Sequence, residues 1–269
     1  MRRLCWHACV CVLAAASIAA APESSALYQA TAIVTGMDMR QRPLGFSECL
    51  TEVLMKVAGA PGLRDDPAVT ALARHAADLV ASYSYIDPRA GRVPHDDQGT
   101  YDRSYELTVR FDPVKIDAAL GALHLSPWRG PRPLLEPVIL VRPTNEPPFY
   151  LSADTPRGSE MRSTVVLSAS QQGLGVRFPA QADLDAWGMV PFGFPAPLAQ
   201  AESGRLQIVG SLGWDIHVGG WVGSWRVRLN GIDHDWRSAG GSYDQALADM
   251  VRGAVTLARG AGSPEVAPR

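Results

Sequence analysis

Hydrophobic positions along this chain keep two rhythms, and the points where one gives way to the other outline its elements. Tyr28, Ala30, Ala32 and Val34 alternate with Gln29 and Thr31, the period-two pattern of a strand with one buried face. After a polar connection from Met37 to Pro43, Phe46, Leu50, Val53, Leu54 and Val57 recur at helical spacing. Pro43 suits the first turn of that helix and Gly59 its C-cap. A second helix is expected from Asp66-Pro67 through Val69, Leu72, Ala76, Leu79 and Val80, with Tyr83 and Tyr85 opening the next strand. Tyr105, Leu107, Val109 and Phe111 alternate with Glu106, Thr108 and Arg110, a strand able to return antiparallel. Ile116, Leu120 and Leu123 then follow on a helix entered at Asp112-Pro113.

Beyond a Pro-rich stretch from Pro127 to Pro137, Val138-Ile139-Leu140-Val141 reads as a strand buried on both faces. Pro143 to Pro156 reads as irregular, followed by a helix over Glu160–Gln172, a short strand over Gly175–Pro179 and a helix begun near Asp183. Leu206, Ile208, Gly210, Leu212, Trp214, Ile216 and Val218 then occupy successive even positions, one long strand with a buried face. A two-residue turn at Gly219-Gly220 would set Trp214 opposite Trp225 and Leu212 opposite Val227. A second turn at Asn230-Gly231 sets Trp225 opposite Trp236, with Arg226 meeting Asp235 and Arg228 meeting Asp233 on the other face. Trp214, Trp225 and Trp236 are therefore expected side by side. Their cover is a helix from Ser242 to Arg259, opened by a capping box of Ser242 and Gln245 and burying Leu247, Met250, Val251, Ala254 and Leu257. An exposed Trp ladder would instead indicate a ligand platform.

These elements predict an α/β (α+β) fold of two small lobes, each a sheet covered by helices. The first lobe spans residues 27–126, a Pro-rich joint 127–137, and the second lobe 138–259, with a three-stranded antiparallel meander over 205–239. Residues 260–269 read as a disordered tail.

The amino terminus changes the picture from fold to address. Arg2 and Arg3 precede an uncharged, mostly apolar run from Ala8 to Ala21, the pattern of a secretory signal peptide over residues 1–26, cleaved after Ala26 or Ala20. The run is shorter than the roughly 20 apolar residues a bilayer span needs. Loss of residues 1–26 removes Arg2, Arg3 and Glu23 and leaves 23 basic against 26 acidic residues, a formal charge of −3 with no excess to attract nucleic acid. Cys5, Cys9 and Cys11 leave with the signal. Cys49 remains alone on the buried helical stripe with no cationic flank, which reads as a structural thiol and rules out an internal disulfide.

Leu27-Tyr28-Gln29-Ala30, Arg40, Leu54-Met55-Lys56-Val57-Ala58-Gly59, Tyr83-Ser84-Tyr85, Phe111-Asp112 and Trp128…Arg132-Pro133 come in an order that resembles an exported family of Gram-negative bacteria, domain of unknown function 2066. Gly36-Met37-Asp38-Met39 and the longer Trp128-to-Arg132 spacing depart from that pattern. The resemblance implies periplasmic or envelope residence and no established activity.

Catalytic patterns are missing. Gly45-Phe46-Ser47-Glu48-Cys49 and Gly223-Ser224-Trp225 are not nucleophile elbows, Gly173-Leu174-Gly175 lacks a third glycine, and no Gly-Lys-Ser/Thr loop occurs. His75, His95, His124, His217 and His234 are scattered, and His95-Asp96-Asp97 reads as a solvated loop tip, since three adjacent residues cannot converge on one ion unaided. No cofactor, metal site or catalytic residue is nominated. The expectation is a non-catalytic periplasmic protein, with no transmembrane segment after signal removal, that binds another envelope protein. Trp128, Arg129 and Arg132 in the joint are the candidate contact residues, an interdomain packing hinge being the equal alternative reading. The competing function is a periplasmic enzyme, or a small-ligand or glycan-binding protein, with its site between the lobes.

Overall fold

The computed structural model describes residues 24–90, 104–190, 193, 195–196, 204–260, 262 and 264. The signal segment up to residue 23, the His95-Asp96-Asp97 tip and most of the predicted tail lie outside the described residues.

The first half is built from β1 (Gln29–Thr35), α1 (Arg42–Ala58), α2 (Pro67–Ala73), β2 (Val80–Ile86), β3 (Ser104–Phe111) and α3 (Pro113–Ala122). The strands form an antiparallel sheet in the order β1-β3-β2. Ala30, Ala32 and Val34 turn inward as their alternation requires and meet the Phe46, Leu50, Val53 and Leu54 stripe of α1 in one core. Gly59, at φ 60°, closes α1 by donating its N–H to the Met55 carbonyl. Asp112 caps α3 through Val114 N–H at 2.9 Å.

One expected helix is shorter than its hydrophobic pattern. α2 is capped by Asp66, but it stops at Ala73, a 3-10 turn covers Ala76–Leu79, and the strand starts at Val80 rather than Tyr83. The sheet takes over the end of the would-be helix. Val80 pairs with Phe111, and the Leu79 carbonyl accepts Asp112 N–H at 2.9 Å, a partner no helix could supply.

The second half contains β4 (Leu134–Arg142), β5 (Phe149–Tyr150), α4 (Ser159–Ser170), α5 (Gln181–Ala186), β6 (Arg205–Asp215), β7 (Gly220–Leu229), β8 (Ile232–Gly240) and α6 (Tyr243–Arg259). Its sheet runs β5-β4-β6-β7-β8, with β4 and β6 parallel and the other neighbours antiparallel, so the protein is mixed α/β. β4 is buried on both faces. Leu135, Ile139 and Val141 pack with residues of α4 and α6, while Val138 and Leu140 pack with Leu184 of α5. The strand expected over Gly175–Pro179 reduces to a single parallel bridge between Val176 and Leu135.

The meander holds the expected faces and half of the expected register. Asn230 and Gly231 stand at φ 51° and 79°, both left-handed, and the turn sets Trp225 opposite Trp236, Arg226 opposite Asp235 and Arg228 opposite Asp233. Both Arg–Asp pairs are bidentate. The first hairpin differs. β6 ends at Asp215, four residues form the loop, and Trp214 faces Trp221 while Trp225 faces Gly210.

Two features explain that slip. Asp215 builds the turn itself: its carboxylate accepts His217 N–H at 2.8 Å and its carbonyl accepts Gly219 N–H at 2.9 Å. The Trp225 indole also needs bare backbone beneath it. A Cβ on Gly210 would lie 2.4 Å from Trp225 Cε3, and one on Gly223 would lie 2.2 Å from Cζ2. Trp214 in place of Gly210 would put two indoles into one slot. The displacement is an even number of residues, so inside and outside are preserved and only partners change. Trp225 and Trp236 are buried under α6 as expected, whereas Trp214 is 44% exposed. Trp225 Nε1 donates to Ser238 Oγ at 2.7 Å, which donates onward to the Ala246 carbonyl of α6 at 2.9 Å.

Among the described residues, no helix is long and apolar enough to cross a membrane.

Candidate functional site

The three joint residues do not act as one surface. Trp128 donates its main-chain N–H to the Val57 carbonyl at 2.8 Å, and its half-buried indole lies over Gly59 and packs on the second core. Arg132 stacks on that indole, its guanidinium carbon 4.3 Å from the ring centre. Its two terminal nitrogens reach the Lys56 carbonyl in the last turn of α1 at 2.7 Å and the Gln172 carbonyl just past α4 at 3.2 Å. Such carbonyls lack intrahelical donors, so Arg132 serves two helix ends at once. Burial pulls its pKa down to about 10, which leaves it a cation at neutral pH. Beneath it, Lys56 is buried with Nζ on the Gln29 carbonyl at 2.8 Å and on Glu52 at 2.9 Å. Arg129 alone keeps an exposed head group, paired with Asp117, which also accepts the Tyr28 hydroxyl. Trp128 and Arg132 thus meet as an inward-facing bracket and Arg129 stands outside it.

A second cluster lies at one end of the larger sheet, where Trp214 is exposed although Trp225 and Trp236 of the expected ladder are buried. The parallel strands β4 and β6 end side by side, and the first turns of α4 and α6 stand over those ends. Carboxyl ends of parallel strands are where open α/β sheets leave a crevice. Here a groove of about 300 Å³ is lined by Val141, Phe149, Arg157, Glu160, Trp221 and Tyr243, among others. Its aromatic wall is continuous: Trp214 meets Trp221 edge-to-face at 6.3 Å, and Trp221 meets Tyr243 at 5.8 Å. Arg157 lies 3.9 Å above the Phe149 ring and bonds Glu146 at 2.8 Å. Beside it the four-residue hairpin loop carries Ile216, 81% exposed, and Val218, 56% exposed.

The same inward face of β6 and β7 that buries Leu212 and Trp225 therefore continues past the helices into solvent, as Trp214 and Trp221. Alternation could not reveal this, because it reports which face a residue is on and not where the covering helix begins. The usable signal was Asp215, a turn-former three residues before the expected end of the strand at Val218.

Titratable groups do not assemble into a reaction centre among the described residues. Cys49 is buried and its pKa is pushed up to about 12, by burial first and by Glu52 and Glu48 after it, the opposite of an activated thiolate. His217 sits in the hairpin loop and His234 opposite Val227 on β7, so the two do not form a pair. No group of three or more His, Cys, Asp or Glu side chains that could hold a metal ion occurs among the described residues.

No curated protein and no solved structure matches the chain. Residues 21–129 match a family described as a domain of unknown function (DUF8605). The expected kind of family is found, but under a different number from the expected 2066. The matched stretch covers the three-stranded sheet with its helices and ends inside the joint, so β4 and everything after it lie beyond the likeness to a domain of unknown function.

Proposed function

We propose that this chain is a non-catalytic binding module of the bacterial cell envelope, exported by its amino-terminal signal, and that it engages another envelope protein. The carrying observation is the apolar cluster of Trp214, Ile216 and Val218 at the tip of the β6–β7 hairpin, continuous with the aromatic groove. Isolated exposed apolar residues are ordinary, but several large ones on one loop beside a groove mark a contact surface. Edge-to-face aromatics give a partner rigid, amphipathic area at little entropic cost. The reading also draws on the inward use of Trp128 and Arg132, which leaves the joint little to offer a partner except Arg129.

The test is site-specific photo-crosslinking in intact envelopes, with the crosslinker at Ile216 and, as control, at Arg237, which is also exposed but on the opposite face. A discrete crosslinked species from position 216, absent from 237 and lost when Val218→Asp and Trp214→Ala are added, is the expected result. Val218→Asp changes an exposed site and should alter stability by roughly 0.5 kcal/mol or less, while Trp214→Ala also loses its edge-to-face contact with Trp221, worth about 0.5–1.5 kcal/mol, so the doubly changed protein should still melt cooperatively at a slightly lower temperature. Equal crosslinking from both positions would remove the hairpin as the binding surface.

A further inference from the structure

The larger sheet ends in a strand with one neighbour. β8 is last in the sheet order, and its nine residues contain no proline and keep an unbroken register against β7. The other end of the same sheet is closed by β5, two residues long. Long edge strands are usually shortened, bulged or covered, because their free N–H and C=O groups can template another strand. The register says which groups of β8 are free. Leu229 and Ile232 flank a two-residue turn, which makes them a hydrogen-bonded pair. Ile232, His234, Trp236, Ser238 and Gly240 therefore direct their main-chain groups at β7, and Asp233, Asp235, Arg237 and Ala239 direct theirs away from the sheet. All four outward residues are exposed, and their side chains stand on the face opposite Trp236 and Ser238, which lie against α6. Asp235 is held by Arg226 with its carboxylate still 57% exposed. Arg237, across from Ser224, has no ion pair among the described residues.

We infer that a second copy of this chain docks along β8, antiparallel and related by a two-fold axis, so that the two five-stranded sheets join into one. Outward-facing residues must meet outward-facing residues, which allows only registers that set an odd position opposite an odd position. Charge and overlap decide among them. Centred on Asp235, that carboxylate would meet its own copy, and centred on Arg237, two guanidinium groups would meet. Centred on Trp236, Asp235 meets Arg237 of the second copy, Arg237 meets Asp235, and Asp233 meets Ala239. Opposite charges directly across from each other stabilise a strand pair and like charges oppose it. Trp236 is also the middle residue of the strand, so this register is the one that pairs all nine residues. Registers centred further out leave much of the strand unpaired. The charges that guard the edge against a stray strand therefore favour one symmetric partner, since a two-fold contact presents the same patch twice. Trp236 and Ser238 keep their places under α6 in each copy. The β8 edge is separate from the hairpin tip, and this inference does not rest on the reading of that tip.

The test is analytical sedimentation of the chain as purified from intact cells, across the micromolar range. A concentration-dependent dimer is expected, weaker as salt rises. Asp235→Arg and Arg237→Asp each set like charges opposite one another and should raise the dissociation constant about tenfold or more. Mixed in equal amounts, the two variants should associate with each other, because each supplies the charge the other lacks, which a merely misfolded variant could not do. The double change Asp235→Arg with Arg237→Asp should restore self-association, which registers centred on residue 235 or 237 would not allow. Ala239→Pro removes an outward N–H without touching the ladder to β7, so it should weaken the dimer and leave the fold intact by circular dichroism. In the crosslinking experiment above, position 237 should capture a second copy, a species distinct from the one captured at 216, so the two proposals fail separately. A monomer at every concentration, a dimer undiminished by Arg237→Asp and Ala239→Pro, or no recovery in the double change would each overturn the assignment.

Discussion

Cys49 lies on α1 with its sulfur 3.9 Å from the Leu107 carbonyl, and its surroundings hold the thiol protonated up to about pH 12. An unfolded cysteine titrates near about 8.5. The folded state therefore binds this proton more tightly, so its contribution to stability is complete below about pH 8.5 and is lost as pH rises toward 12. Iodoacetamide at mildly alkaline pH should leave Cys49 unmodified in the native protein and alkylate it fully in denaturant, as read by peptide mass spectrometry. Rapid native labelling would show that the thiol is not enclosed. This residue was legible in advance, because its burial follows from its place on the Phe46–Leu50 stripe. Gln172 and Ser238 were not. Each looks like an ordinary polar residue in the sequence, and each takes its meaning from partners remote in the chain: Arg132 on its carbonyl for one, Trp225 and Ala246 for the other.

At the level of elements, the meander divides what pattern can fix from what only packing can. The Asn230-Gly231 hairpin was legible because turn chemistry alone requires left-handed backbone at two adjacent positions, and these residues tolerate it. The Gly219-Gly220 hairpin was not, because the same alternation accepts any even displacement, and the choice among them rests on where an indole can lie. Gly223→Ala isolates that choice. The new methyl group would fall 2.2 Å from the Trp225 ring, and overpacking of this kind costs about 1–3 kcal/mol. Urea denaturation should show that loss together with a shift in tryptophan emission, whereas an unchanged midpoint would mean that Trp225 does not lie across Gly223. The shortened α2 makes the same point in the first half: helical spacing continued to Val80, but β3 held a better partner for it.

For the whole molecule, Arg132 and Trp128 are among the contacts that join the two halves, beside Arg259 on the Ser126 carbonyl. Arg132→Met keeps much of the stem that packs on the indole and removes the donors to Lys56 and Gln172. Hydrogen bonds from a charged group contribute about 1.5–3 kcal/mol each. The partial exposure of Arg132 sets the expected cost near the low end, at about 2 kcal/mol for the residue. Amide exchange should rise at the ends of α1 and α4 and stay unchanged in β7 and β8. A uniform rise across both sheets would mean that the two halves unfold as one unit, with no local role for the bracket. Arg132→Lys should not restore protection at both sites, since an ammonium is a point donor and cannot span two carbonyls as a guanidinium does.

That bracket also sets an order of events. The stretch matched to a domain of unknown function stops at Arg129, short of Arg132. In the last turn of α1 the Met55 and Val57 carbonyls take donors from Gly59 and Trp128, inside the matched stretch, while the Lys56 carbonyl takes Arg132 from outside it. As the chain is synthesised, every residue of the first sheet precedes Arg132, so the Lys56 carbonyl is the acceptor at this helix end that gains its donor last. The first sheet can assemble its own core early, and one carbonyl at the end of its long helix waits for the residue that also reaches across to Gln172.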